Sequence, residues 1–258
     1  MSPTTQKEVS VLTTSDAKWK TYAIQMTTSD DFDANVDHLL KLVSKLPRHS
    51  IVVTPEVCLT GFSYDRMEEA VKTGLYAIQK VKELSEDKII TLTTIQKEDG
   101  HYVNRTDVVH NGKIVHSQHK IKLFLLGNEH RYFKAGSEEE VEIFEIEGMK
   151  FGILVCFEMR YTEFWLKLRG ADIILNPSMW GKPRKYHYEI LTRALAIANQ
   201  CYVIAANSAN EDMAASSAII DPDGKAVADD ETEVLEGEFN PKEVERIRRY
   251  IDMDIFHE

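Results

Sequence analysis

The apolar positions of this chain form two kinds of stretch, short β-branched runs and longer runs spaced three and four apart, and the two kinds alternate. Residues 20–26 read as a first strand, and the Ser/Asp-rich break at 27–33 caps a helix in which Val36, Leu39, Leu40 and Val43 share one face. Ser50-Ile51-Val52-Val53-Thr54 is a buried strand that stops at Pro55-Glu56 and completes a βαβ unit. A helix over 67–84 and a strand over 88–95 continue the alternation. Two further strands are joined by Asn111-Gly112, both of which tolerate the positive φ of a type I′ turn, and this hairpin delivers the chain to Lys120.

The second half repeats the theme. Strands over 141–146 and 150–155 flank Glu147-Gly148, and a helix over 161–169 follows. A buried strand over 171–176 ends at Pro177, and a helix over 188–199 carries Ile190, Leu191, Ala194, Leu195 and Ile197 on its apolar face. After a strand over 201–206, residues 217–220 lead into the turn Asp221-Pro222-Asp223-Gly224, then to a last strand over 234–239 and a polar helix. No repeat or low-complexity linker divides the chain. The pattern predicts an α/β protein of mixed sheets covered by helices, with residues 1–18 as a flexible polar leader and 19–258 as a single domain.

Composition narrows the partners. With 43% hydrophobic and 28% charged residues in 258, a sizeable core is available. The formal charge of −11 argues against a nucleic-acid surface, and Arg246-Ile247-Arg248-Arg249 reads as a solvated helix face. No apolar stretch approaches the roughly 18 residues of a membrane span, and the leader lacks the hydrophobic region of a signal peptide. Cys58, Cys156 and Cys201 are odd in number and widely spaced, which suits neither a disulfide framework nor a zinc site and points to the reducing cytoplasm.

Three of the strands run into a reactive side chain: Glu56, Lys120 and Cys156. Strand ends are where α/β folds gather their sites. Cys156 sits where an aliphatic run turns into a helix-compatible stretch, so free N–H groups there would favour its thiolate and could hold an oxyanion. Taken singly, Cys156 reads equally as a small core hydrophobe, Glu56 as a turn cap and Lys120 as an exposed hairpin charge. Together a carboxylate, an ammonium and a thiol make an acyl-transfer apparatus: a base, a counter-charge and a nucleophile. His119 points to the other side of its strand from Lys120, against a Cys–His pair.

Order and spacing then carry a resemblance. Thr54-Pro55-Glu56 with Leu59-Thr60-Gly61-Phe62, then Lys120-Ile121-Lys122-Leu123-Phe124, then Gly152-Ile153-Leu154-Val155-Cys156-Phe157-Glu158-Met159-Arg160-Tyr161 resemble the three signature blocks of the nitrilase superfamily of carbon–nitrogen hydrolases. Asn104, residues 129–136, 193–200 and 217–224 extend the likeness. The resemblance implies a four-layer α-β-β-α sandwich that pairs through helices near the nucleophile as a homodimer or higher homo-oligomer, with no metal or organic cofactor. It implies Glu56 as general base, Lys120 as the cation at the tetrahedral intermediate, Cys156 as nucleophile and Glu129 as a further glutamate that positions substrate. The backbone N–H of Phe157 is expected to join Lys120 in the oxyanion site. Three positions depart from the pattern: Glu158 stands where many amidase-type members carry aspartate, Lys122 where histidine is frequent, and Ala198 where glutamate is frequent.

The reaction expected on these grounds is hydrolysis of a small carboxamide through a Cys156 thioester, releasing ammonia or an amine. An N-carbamoyl amine is the alternative substrate, and a catalytically silent binding member the alternative of another class. Nitriles are disfavoured because nitrilases carry tryptophan where this chain has Phe157. Trp180, Lys182, Arg184 and His187 follow the strand that ends at Pro177 and could line the pocket mouth. Cations there would suit a remote carboxylate, as in ω-amidase-like members, and would otherwise be solvated loop charges.

Overall fold

In strand β1 (Lys20–Ile24), every residue after Lys20 is buried, and successive side chains go to different neighbours. Tyr22 and Ile24 pack with Val36, Leu39 and Val43 of helix α1 (Phe32–Ser44) and with Ala77, Ile78 and Val81 of α2 (Met67–Leu84). Ala23 instead joins an apolar cluster that runs through a second sheet. Strands β2 (Ser50–Val53) and β3 (Lys88–Glu98) divide in the same way: Val52, Ile90 and Leu92 go with the helices, and Ile51, Val53 and Ile89 with the second sheet. Side chains alternate across a strand, so a sheet whose two faces sort into two clusters is covered on both sides.

The computed structural model describes residues 18–254. The first sheet is completed by β4 (His101–His110) and β5 (Lys113–His119). The second half contributes β6 (Phe144–Ile146), β7 (Met149–Ile153), α3 (Thr162–Lys167), β8 (Ile173–Ser178), α4 (Lys185–Asn199), β9 (Tyr202–Asn207), β10 (Ala218–Ile220) and β11 (Ala226–Ala228). Strand β12 (Val234–Glu238) returns to the first sheet and α5 (Pro241–Tyr250) follows. The orders are β12-β1-β2-β3-β4-β5 and β11-β10-β9-β8-β7-β6. In each sheet three consecutive strands are parallel, β1 to β3 and β7 to β9, with antiparallel strands on either side. Parallel neighbours need crossovers, and the crossover helices α1, α2, α3 and α4 become the outer layers of the α-β-β-α order expected from the sequence.

Local turn chemistry sets the hairpins. Asn111 and Gly112 take φ of 47° and 78°, and Glu147 and Gly148 take 52° and 75°, all in the left-handed region of a type I′ turn. Several details depart from the sequence expectation. The strand expected over 141–146 is confined to Phe144–Ile146, and Arg248, in the run read as a solvated helix face, is buried and pairs with Asp172 at 3.1 Å. Strand β8 continues through Pro177 to Ser178; β7 has left the sheet by then, and an edge tolerates a residue without an N–H. Helix α3 ends at Lys167, and a five-residue 3-10 turn, Cys156–Arg160, precedes it. Strand β11 pairs with β10 although Val227 is half exposed, so no apolar alternation marked it. The leader falls outside the described residues apart from Lys18, which pairs with Glu238.

Candidate active site

The ends of β2, β5 and β7 converge at one edge of the sandwich. Glu56, just past β2, donates its N–H to the carbonyl of Ser178 at the end of β8, which ties the two sheets together at 3.1 Å. Its side chain is fully buried. Oε1 accepts from Lys120 Nζ at 2.7 Å and from Asn104 Nδ2 at 2.8 Å, whereas Oε2 has no partner among the described residues. Asn104, on β4, also accepts the Lys120 N–H on its carbonyl at 2.8 Å, so one residue orients both charges. Lys120 Nζ is held on its other side by Glu129 Oε1 at 2.8 Å, and Glu129 Oε2 accepts the Phe124 N–H at 3.0 Å. Lys120 and Glu129 are 1% and 3% exposed, which makes the three-charge cluster a buried one.

Cys156 begins the 3-10 turn with φ of 49°, a left-handed conformation that costs a non-glycine residue about 1–2 kcal/mol. Such strain persists only where neighbours over-determine it. Here Leu154 N–H donates to Leu175 O at 3.1 Å and Asn176 Nδ2 donates to Leu154 O at 2.5 Å, so β8 clamps the approach to the cysteine. Gly152 permits this path, because a Cβ there would come within 2.7 Å of Leu168 Cδ2. The first amide closed within the turn is that of Glu158, on Val155 O at 3.0 Å, which leaves the Phe157 N–H ahead of it.

A cavity of about 210 Å³ opens onto these groups. Glu56, Glu129 and Cys156 line it, as do the aromatic rings of Phe62, Tyr64, Phe124 and Phe157, while Lys120 lies behind the two carboxylates. Trp180, Arg160 and Arg184 complete the wall. The Arg160 guanidinium stacks over the Trp180 ring at 4.8 Å, Trp180 Nε1 donates to Arg184 O at 2.8 Å, and the Arg184 guanidinium lies 5.2 Å from the Phe124 ring centre. His187 and Lys182 do not line the cavity: His187 is exposed and meets Arg160 at 3.0 Å, and Lys182 Nζ donates to Glu211 O at 3.3 Å. His119 is held between Glu98 and Glu140, also away from the cavity. Arg160 was not singled out from the sequence as a pocket residue. The available signal was its place in the turn that starts at Cys156, four residues on.

The electrostatics follow from burial. Burial pushes the Cys156 thiol well above its ordinary value and the Glu56 carboxylate pushes it further, with Lys120 and the Met179 N–H opposing. The sequence left the balance open between free N–H groups and Lys120, which favour the thiolate, and the carboxylate, which opposes it; a five-residue turn has little dipole, and desolvation beside the carboxylate outweighs both. Burial works against the charge on Lys120, but Glu56 and Glu129 outweigh it and hold the ammonium charged. Burial, and then repulsion from Glu56, raise Glu129 against the pull of Lys120. The cavity therefore presents a neutral thiol, a carboxylate with one anchored and one free oxygen, and a fixed positive charge behind it. Among the described residues, no group of three or more His, Cys, Asp and Glu side chains is placed to hold a metal ion.

Comparison with known proteins fits this arrangement. A model of the Carbon-nitrogen hydrolase family matches residues 21–249. The chain is 28% identical over 250 residues to a 2-oxoglutaramate amidase of Bacillus subtilis (strain 168), covering 91% of this chain and 95% of that one. It is 29% identical over 209 residues to the Omega-amidase YafV of Escherichia coli (strain K12), covering 77% and 79%. Among solved structures, Saccharomyces cerevisiae Nit3, a member of branch 10 of the nitrilase superfamily, superposes with a TM-score of 0.81 at 22% identity, over 92% of this chain and 95% of that one. That likeness is one of fold, and the match over residues 21–249 makes the chain a member of the carbon–nitrogen hydrolase family.

Proposed function

We propose that this enzyme hydrolyses the terminal carboxamide of a small molecule that carries a remote carboxylate, by way of a thioester on Cys156. The observation that carries the reading is the free Oε2 of Glu56 beside a cavity that also exposes Cys156. Glu56 takes the thiol proton as the sulfur attacks the amide carbon. The oxyanion forms against the charge of Lys120 and the Phe157 N–H, and Glu56 returns the proton to the departing nitrogen, so that ammonia leaves and a thioester remains. Water then enters, Glu56 takes its proton, and the second tetrahedral adduct expels the sulfur, which regains the proton. Glu129 holds Lys120 from the side away from Glu56 and keeps its charge in place.

The substrate class is supported by Arg160 and Arg184. Both line the cavity, and among the described residues neither has a carboxylate within 4.0 Å, in a chain of net charge −11. Relatives named for 2-oxoglutaramate amidase and omega-amidase activity agree with such a substrate. Ammonia release from a panel of dicarboxylic acid monoamides, uncharged amides of equal length, N-carbamoyl amines and nitriles is expected to favour the monoamides. Arg160→Ala is expected to raise KM for a monoamide by roughly ten- to hundredfold, the worth of a hydrogen bond to a charged group, and to leave an uncharged amide within about twofold. An uncharged amide turned over as well as the monoamide would sink the carboxylate assignment.

We further infer a homodimer in the cytoplasm. Leu166 of α3 and Ile190 and Ile197 of α4 are 62%, 45% and 54% exposed on adjoining helices of an outer layer, an apolar face that a second copy would cover. Sedimentation equilibrium is expected to give twice the 29.5 kDa chain mass, and Ile190→Glu with Ile197→Glu to give the single mass. A monomeric wild type at micromolar concentration would remove the inference. The three free, buried cysteines suit a reducing compartment, which cell fractionation tests.

A further inference from the structure

Lys120 and Cys156 leave different sheets, so the ends of β5 and β7 must be held in register for the two to serve one reacting atom. Glu158 spans that gap. Its Oε1 accepts the N–H of Ile121 at 2.6 Å and of Lys122 at 3.3 Å, directly after Lys120. Its Oε2 accepts the N–H of Val155 at 2.8 Å, directly before Cys156. The side chain is fully buried and does not line the cavity. The other cross-link at these strand ends, Gln118 Nε2 to Ile153 O, is longer at 3.4 Å and uncharged.

Both carboxylate oxygens face N–H donors, and that determines which side chain can stand there. An ionised carboxylate accepts at both ends, whereas glutamine would turn an NH₂ and a protonated acid an O–H towards one of the donors. The geometry points to Glu158 as a positioning residue whose ionised carboxylate fixes the Lys120 segment against the Cys156 segment, and whose protonation releases one of the two. This rests on the reading above, in which both residues act on one substrate carbonyl.

Burial pushes Glu158 up to about 7, against the three backbone donors and the charge of Lys120, so its ionisation falls in the neutral range. The charged and titratable groups around it are Lys120, with Glu56 and Glu129 on its far side; Lys122, whose ammonium is taken by Glu138; and Cys156 and the exposed Arg160 on its own turn. Burial and Glu56 hold the Cys156 thiol well above its ordinary value, so an inflection near neutrality is not that of the thiol.

Alkylation of Cys156 by iodoacetamide, read by mass spectrometry from about pH 5.5 to 9, needs no substrate and is independent of the amidase assignment. In the wild type the rate is expected to change through an inflection near 7 that kcat shares. Glu158→Gln is expected to lose the inflection in both and to lower kcat by about tenfold or more with KM within about twofold, because an orphaned N–H loosens the placement without touching substrate. Glu158→Asp, an acceptor at both ends, is expected to keep the inflection at a displaced pH and more activity than Glu158→Gln. A Glu158→Gln enzyme with wild-type kcat and inflection overturns the proposal. Should that variant not fold, a Glu158→Asp inflection coincident with the wild type's overturns it, since a carboxyl one methylene shorter meets different burial and donors. Absence of amide turnover with the alkylation behaviour intact defeats the substrate assignment and leaves the positioning role standing.

Discussion

Cys156→Ala is expected to lower amide turnover by about 10⁴-fold or more, because removal of the nucleophile leaves only binding and oxyanion stabilisation. The fold should survive. One small buried atom is lost, and the clamp on Leu154 by Leu175 and Asn176 does not involve the sulfur, so the cost is about 1 kcal/mol. Ammonia release from the purified variant, with circular dichroism alongside, measures both quantities. A companion labelling experiment gains its contrast from burial. Cys58 and Cys201 are fully buried and are pushed up to about 12, whereas Cys156 borders the cavity. An electrophile should therefore mark Cys156 first. Near-normal turnover by Cys156→Ala, once contaminating amidase is excluded, would sink the nucleophile assignment.

The second large effect is expected at Lys120, where activity and stability fall together. Lys120→Met removes the cation bonded to both Glu56 Oε1 and Glu129 Oε1 and leaves two buried carboxylates facing each other. Breaking a buried ion pair from one side costs about 3–5 kcal/mol, because the remaining charge is uncompensated. Loss of the counter-charge at the intermediate is expected to lower kcat by about 10²–10³-fold. The pH dependence has a definite sign. In the wild type Lys120 is raised above its ordinary 10.5, so its contribution is fully present below that value and is lost only as the pH rises through the higher one. In the variant Glu129, already raised by burial and by Glu56, loses the opposing pull of Lys120 and binds a proton more tightly when folded than when unfolded, so the variant's stability falls as the pH rises from acid towards neutral. Urea unfolding at about pH 5 and pH 8 should show the smaller defect at the lower pH. A variant as stable as the wild type at pH 8 would show that the cluster is not paired as described.

Much of the fold was legible because its signals are local. Asn111-Gly112 and Glu147-Gly148 announce their turns through the φ values those residues adopt. The β-branched runs at β2, β3 and β9 and the spacing of Val36, Leu39 and Val43 need only neighbours a few residues away. An element that depends on distant packing leaves no such local signal. Strand β8 runs through Pro177 because β7 ends early, and β11 exists only because β10 lies beside it.

The same division runs through the site. Strand ends in the sequence singled out Glu56, Lys120 and Cys156, whose carboxylate, ammonium and thiol together imply acyl transfer, and the resemblance to family blocks added Glu129 and the amide chemistry. Tertiary structure decided that Glu56 and Lys120, 64 positions apart, share a hydrogen bond, that one Glu56 oxygen stays free, and that Arg160 lines the cavity while Lys182 and His187 stand outside it. It also set the direction of the Cys156 thiol, which the opposing pulls of a carboxylate and a lysine leave open in the sequence. The physical reason is range: turn and helix preferences are set by covalent neighbours, whereas desolvation and charge pairing depend on groups that only folding brings within a few ångströms.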